Sequence, residues 1–263
     1  MKLDEPSLPV AVITGGARGI GLAMGKWFLA HGHRVVLVDL DSEALGLADA
    51  ALDRADDVLV ITCDVSSPQQ VQSAAEKVET VFGRVDALVN NAGVAIFKPV
   101  MDTTFEEWRH VMATNLDGAF LCTQAFVPLM LKSGSASIVN IASISGLRAS
   151  TLRAAYGTSK AALIHLTKQQ AVELGNIGIR VNAVAPGPVE TEMAKLVHSA
   201  AIRRDYHDAI PLGRYGTTEE IAAVTGFLCS AAASFVNGQV LAVDGGFDAA
   251  GVGLPTLRGQ QDA

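Results

Sequence analysis

Charge is sparse in this chain. Asp, Glu, Lys and Arg make up 18% of its 263 residues against 49% hydrophobic ones, a balance that excludes a disordered polypeptide and implies a compact core. The charge that is present leans acidic, with a formal net charge of −7. Nucleic acid and anionic membranes both demand a basic face, so neither is expected as a partner. The cysteines are few and odd in number: Cys63, Cys122 and Cys229, far apart and in apolar surroundings. They read as buried, reduced thiols of a cytoplasmic protein. None of them has metal-ligand spacing, and no metal is expected. Met1 to Pro9 contains no apolar run and does not read as a secretory signal. The one long uncharged stretch, Ile221 to Val243, is interrupted by Gly226, Asn237, Gly238 and Gln239. It reads as a buried helix, a turn and a short inner strand rather than a membrane span.

Within that composition the pattern alternates. Strand-like runs fall at Val10 to Thr14, Val35 to Val38, Val58 to Thr62, Ala87 to Val89, Ser137 to Ile141, Val181 to Ala185 and Gln239 to Val243. Helical stretches are expected at Gly19 to His31, closed by Gly32, and at Pro68 to Phe82, Phe105 to Leu131, Ala154 to Leu174 and Thr218 to Ser230. Uninterrupted apolar runs are what strands covered on both faces require. The expectation is an α/β protein with an open, doubly wound parallel sheet of seven strands and helices on both faces. No linker or repeat divides it, so residues 1–263 read as one domain. The polar, aperiodic segment from about 190 to 217 reads as a lid over a cleft.

The chemistry-bearing residues fall at the ends of these runs. Gly15, Gly19 and Gly21 stand where the first strand turns into the first helix, where glycine permits a tight turn and the helix N-terminus offers N–H groups to a pyrophosphate. Asp39 lies eighteen residues past Gly21, at the end of the second strand. A carboxylate there accepts hydrogen bonds from ribose hydroxyls and repels a 2′-phosphate. Asn91, Ala92 and Gly93 follow the fourth strand, the last two small enough for close approach to a ligand. Asn115 interrupts a good helix, where asparagine is a poor former. Ser143 follows the fifth strand, with Ser145 as the rival position two residues on. Tyr156 and Lys160 share one helix face at i, i+4. An ammonium beside a phenol favours the phenolate, and that suits a general acid/base.

In order, T-G-x-x-x-G-x-G at Thr14 to Gly21, N-N-A-G at Asn90 to Gly93, the lone Asn115, Ser143 and Y-x-x-x-K at Tyr156 to Lys160 resemble the short-chain dehydrogenase/reductase family from about Val10 to Gly246. The resemblance implies a Rossmann-type, NAD(P)-dependent oxidoreductase acting on a secondary alcohol or ketone. Gly15, Arg18, Gly19, Ile20 and Gly21 would cradle the cofactor, and Arg18 in some members contacts the extra phosphate of NADP. Asp64 would bond the adenine amino group and Val65 line its pocket. Pro186 and Gly187 would turn the chain at the nicotinamide end of the cofactor, and Val189 and Thr191 would close on the carboxamide. Asn115 would bend its helix and hold a water linked to Lys160, while Lys160 would also bond the nicotinamide ribose. Asp39 points to NAD, with NADP less favoured. Ser143, Ser145, Tyr156 and Met193 are expected to meet a small-molecule substrate, with Ala95, Leu147 and Arg153 nearby. That mix suits a polyol, a sugar or a small cyclic alcohol about equally; Arg148 and Arg153 are placed either to meet an anion or, as is commoner at a helix entry, to be solvated. The family is usually a homotetramer with two-fold axes, and Val127, Met130, Leu166, Phe227 and Phe235 are apolar in excess of one sheet's need. The tail from Phe247 to Leu257 is expected to cross toward a neighbour. Two alternatives stand beside this reading: a 3-oxoacyl thioester (acyl carrier protein) reductase using NADPH, and a nucleotide-binding regulator without turnover. The second typically lacks part of the Asn–Ser–Tyr–Lys set, which is complete here.

Overall fold

The apolar runs form a seven-stranded sheet in the order β3-β2-β1-β4-β5-β6-β7, with every pairing parallel. The strands are β1 (Val10–Thr14), β2 (Arg34–Asp39), β3 (Val58–Thr62), β4 (Ala87–Asn90), β5 (Ala136–Ile141), β6 (Ile179–Pro186) and β7 (Val240–Val243). The structure is a computed structural model and describes residues 8–54 and 56–251, without the side chain of Met193. Parallel strands need crossovers on the sheet faces. Here they are α1 (Gly19–Ala30), α2 (Ser42–Leu52), α3 (Pro68–Phe82), α4 (Phe105–Met112), α5 (Gly118–Met130), the short α6 (Ile144–Leu147), α7 (Ala154–Gly175), α8 (Glu192–Val197), α9 (Ala200–Ala209) and α10 (Thr218–Cys229).

Two apolar layers hold this arrangement. On one face Val71 and Val78 of α3 and Cys122 and Phe126 of α5 pack on Val12, Leu88 and Ile138. On the other, Met24 and Phe28 of α1, Leu45 of α2 and Ile221 of α10 pack on Ile13, Val89 and Val139. Every residue of β1 and β5 is buried. The strand order reverses between β1 and β4, and in such sheets a ligand crevice opens beyond the strand ends at that switch. The C-terminal ends there are Thr14, Asn90, Ile141 and Pro186.

Several expectations change in detail. The stretch 105–131 is two helices joined by a π-helical turn at Ala113–Asp117, with Asn115 buried inside it. A helix not expected, α2, buries only Leu45 and Ala48, too narrow a stripe to read as a period. The segment 190–217 contains α8 and α9 rather than irregular chain, and α9 buries no residue. Met130 is 1% exposed and belongs to the core, whereas Phe235 is fully exposed and Phe227 is 42% exposed. The tail expected to reach Leu257 passes outside the described residues after Gly251. All three cysteines are free. Among the described residues no helix is long and apolar enough to cross a membrane, and no three His, Cys, Asp or Glu side chains are grouped to hold a metal.

Candidate active site

The glycine loop after β1 is built by close approach. A Cβ on Gly21 would stand 2.0 Å from the Gly15 carbonyl oxygen, and one on Gly15 would meet the Ala92 Cα at 2.9 Å. Asn91 locks the loop from the neighbouring strand: its Nδ2 donates to the Thr14 and Gly15 carbonyls at 2.9 and 3.0 Å. The Thr14 hydroxyl accepts from the Asn91 and Ala92 amides, both at 3.0 Å. The N-terminus of α1 has no side-chain cap at Arg18 and no acidic residue in its first turn. By contrast α2, α3, α4, α8, α9 and α10 are capped by Asp41, Ser67, Thr104, Thr191, Ser199 and Thr217. The positive end of α1 is thus left to an anion. Gly19 has φ +54°, and a Cβ there would have only Thr191 Cγ2, 3.8 Å away, within contact. This open, uncapped cradle fits the pyrophosphate of a dinucleotide.

At the far end of the crevice Asp39 uses its carboxylate locally, accepting from the Ala17 amide at 3.1 Å and the Asp41 amide at 3.2 Å. Arg18 pairs with Asp41 at 2.6 Å. Asp64 accepts from the Ser66 amide and hydroxyl at 2.9 and 2.7 Å. Val65 is buried against Gly118, where a Cβ would come within 2.8 Å of Val65 Cγ2.

The catalytic candidates converge at the ends of β4, β5 and α7. Asn115 grips the chain after β4: its Oδ1 accepts from the Val94 amide at 2.8 Å and its Nδ2 donates to the Val94 carbonyl at 2.9 Å. The same Nδ2 donates to Ser159 Oγ at 3.0 Å, so the π turn and α7 are tied through one amide. Ser143 caps α6, its Oγ accepting from the Ser145 amide at 3.1 Å. The rival Ser145 shares its hydroxyl with Ser150 at 3.2 Å, while Ser143 acts on the Tyr156 phenol and lowers its pKa. Lys160 is 3% exposed and donates from Nζ to the Ile141 carbonyl at 2.7 Å. Burial lowers its pKa from 10.5 to about 8.

The expected pull of Lys160 on Tyr156 is not what this state of the cleft has. Burial raises the phenol's pKa, offset in part by the Ser143 hydrogen bond and then by the charge of Arg153. The ammonium lies 5.9 Å from the Tyr156 ring centroid, drawn to a backbone carbonyl instead of the phenol oxygen.

A cleft of about 230 Å³ lies between this group and the segment 190–217. Ile20, Asn91, Gly93, Ser143, Ser145, Tyr156, Lys160, Pro186, Gly187, Val189 and Thr191 all line it, as does Ala95. The exit of β6 is fixed by the bond from the Gly187 amide to the Val243 carbonyl, 3.0 Å, and by the Val189–Gly216 bridge. Thr191 accepts from the Ala194 amide at 3.1 Å, which leaves its hydroxyl proton free to donate. Leu147 does not line the cleft. Arg148 is half-buried rather than free in solvent: it donates to the Phe247 carbonyl at 2.7 Å and lies 4.9 Å from that ring's centroid.

Residues 15–248 match a family model described as enoyl-(acyl carrier protein) reductase. The chain is 39% identical to a 3-oxoacyl-[acyl-carrier-protein] reductase of Chlamydia muridarum, over 90% of this chain and 96% of the relative. The chain belongs to the short-chain dehydrogenase/reductase family. It is therefore an NAD(P)-dependent oxidoreductase acting between alcohols and carbonyl compounds. Another relative, the meso-2,3-butanediol dehydrogenase of Serratia marcescens, is 38% identical over 94% of this chain and 96% of its own. The crystal structure of levodione reductase superposes with a TM-score of 0.87 at 36% identity, covering 92% of this chain and 98% of that one.

The family motifs account for one end of the cleft, with Ser143, Tyr156 and Lys160, but not for its outer wall. Phe97, His198 and Tyr206 line it too, and the sequence reading did not include them. His198 and Tyr206 come from a segment without clean periodicity, and Phe97 from a loop. Met193 lies on α8, but its side chain is outside the described residues.

Proposed function

We propose that the protein is a dehydrogenase of small secondary alcohols or the corresponding ketones that prefers NAD(H). The observation that carries this is the meeting of Ser143, Tyr156 and Lys160 on one cleft beside the uncapped N-terminus of α1. When bound, the nicotinamide supplies the acceptor or donor of hydride. The chain's own residues handle the proton. In oxidation Tyr156 Oη, as phenolate, takes the substrate hydroxyl proton. Ser143 Oγ donates to the same substrate oxygen and fixes its angle. Lys160 bonds the nicotinamide ribose, and its ammonium supports the phenolate once a ligand draws it from Ile141. Asn115 pins the Val94 backbone and, through the second lone pair of Oδ1, holds the water by which the proton leaves.

For cofactor choice the supporting contact is Arg18 with Asp41. A 2′-phosphate would have to displace that pair while facing Asp39, and like charges in a cleft are costly. Asp64 and Val65 are assigned to the adenine, Pro186 and Gly187 to the turn at the nicotinamide end, Val189 and Thr191 to the carboxamide, and Ile20, Ala92 and Gly93 to cofactor packing. The 3-oxoacyl thioester reductase on NADPH is the second reading, favoured by the likeness to the Chlamydia relative. Residues 190–217 act as the lid of a single domain. The protein works in the cytoplasm, away from membrane and nucleic acid, as a homotetramer. One two-fold contact is formed by α10 and β7, where Phe227 and Leu241 are exposed, with Phe235 exposed on the chain between them. A panel of secondary alcohols and polyols with NAD and NADP, followed as reduced cofactor, tests this. Reduction of 3-oxoacyl thioesters with NADPH alone would favour the second reading.

A further inference from the structure

Arg153 is the cationic side chain of the outer cleft, and it is poorly occupied. Its Nη1 donates to the Tyr206 phenol at 3.2 Å, and its guanidinium lies 5.1 Å from the centroid of the Phe97 ring. A guanidinium carries five N–H donors, so most of these are unused. Among the described residues no carboxylate lies within ion-pairing reach of Arg153. Its neighbours differ. Arg203 grips Glu190 with two bonds of 2.7 and 2.8 Å, and Arg148 is taken up by the Phe247 and Asp248 carbonyls. In a chain of net charge −7, an unpaired guanidinium facing a substrate cleft stands out.

Three features around it point the same way. Tyr206 and Phe97 both contact the guanidinium, and both line the cleft with it. Arg153 stands at the start of α7, whose N-terminus has no side-chain cap and no acid in its first turn, so the helix adds positive potential there. His198 lines the same cleft, with Nδ1 bonded to the Tyr215 hydroxyl at 3.0 Å. Burial, and then the charge of Arg153, disfavour its protonation. A neutral polyol would leave this positive corner uncompensated under the lid, whereas an oxyanion would neutralise it.

We propose that Arg153, positioned by Tyr206 and Phe97, is the anion-recognition residue of the cleft, and that the substrate is a small secondary alcohol or ketone bearing a carboxylate or phosphate. The proposal rests on the alcohol/ketone oxidoreductase reading above and names its substrate class. Arg153 stands immediately before α7, three residues ahead of Tyr156, and both side chains line the one cleft. The anionic group therefore sits a few bonds from the reacting carbon. A planar guanidinium offers such a group two parallel hydrogen bonds.

The test uses matched probes on the full chain with NADH: acetoacetate against methyl acetoacetate, and dihydroxyacetone phosphate against dihydroxyacetone. Binding is read by calorimetry and turnover by NADH oxidation. At least one anionic probe should bind tenfold or more tighter than its neutral partner, and which pair does so separates carboxylate from phosphate. Arg153→Leu should bring that ratio to within about twofold, Arg153→Lys should restore part of it, and unfolding curves verify that both variants are folded. Equal binding within both pairs, no binding of any probe, or a preference that survives in Arg153→Leu would overturn the proposal. Turnover of the neutral ketones without charge preference would overturn it while leaving the hydride-transfer reading intact. Arg153-dependent binding without any NADH oxidation would do the reverse.

Discussion

Lys160 should make the cofactor-free protein more stable as the pH rises through the alkaline range. Its side chain is 3% exposed and burial brings its pKa from 10.5 to about 8. In the unfolded chain a lysine titrates near ~10.4. Between those values the unfolded state binds more protons than the native one, so native stability increases with pH. Below about 8 the cost of burying the ammonium is fully present. One pKa unit corresponds to about 1.4 kcal/mol, which makes the whole effect about 3 kcal/mol, of which about 2 kcal/mol is regained by about pH 9.5. Lys160→Met keeps much of the apolar stem and removes the titration. Urea unfolding of both proteins without cofactor, at about pH 7 and about pH 9.5, isolates the effect because other titrations are common to both. The stability of the wild type relative to the variant should improve by about 2 kcal/mol between the two pH values. Parallel pH dependence in the two proteins would refute the reasoning, because the ammonium would then be as well solvated folded as unfolded.

Three other predictions address the cofactor, the lid and the assembly. The kcat/KM ratio should favour NAD(H) over NADP(H) by tenfold or more, about 1.4 kcal/mol, and Asp39→Ala should narrow it; equal values from the start would mean that Arg18 abandons Asp41 for the phosphate. Because Asp39 also holds the Ala17 amide, the same variant should weaken binding of both cofactors. Residues 190–217 should exchange amide hydrogens faster than the sheet without ligand and become protected with NADH and substrate, since α9 buries no residue; identical protection would make them a rigid loop. Light scattering should give a tetramer, and a particle of 27.4 kDa at micromolar concentration would rule it out.

The sheet was legible because strands buried on both faces leave uninterrupted apolar runs. The bounds of β1 and β3 coincide with their apolar runs. Pro68 at the start of α3 and Gly83 after it mark that helix. What remained hidden has physical causes. The stretch 105–131 reads as one helix bent at Asn115, because a π turn inserts without breaking the apolar stripe, and the division into two helices shows only in the backbone. Helices α8 and α9 carry too little buried surface to impose a period. The site was legible where chemistry is concentrated in fixed motifs. The state of its charges was not: Lys160 reaches Ile141 instead of the phenol, and Arg153, expected near the substrate, takes Tyr206 and Phe97 as its partners. Those are tertiary contacts between residues 19 or more apart, as in the Lys160–Ile141 and Arg153–Tyr206 bonds, and no local pattern encodes them.

The central claim is that Tyr156 carries the proton in an alcohol–ketone hydride transfer. Its most direct test is Tyr156→Phe, which keeps the ring and removes the Oη. Steady-state NADH formation should be measured for wild type and variant on the best alcohol of the panel, with NADH affinity measured in parallel. Turnover should fall by about 10² or more, the scale of general acid–base catalysis, while NADH affinity stays within about twofold of the wild type, since the removed Oη takes the substrate proton and contributes little to cofactor binding. Near-normal turnover in a folded variant would contradict the account.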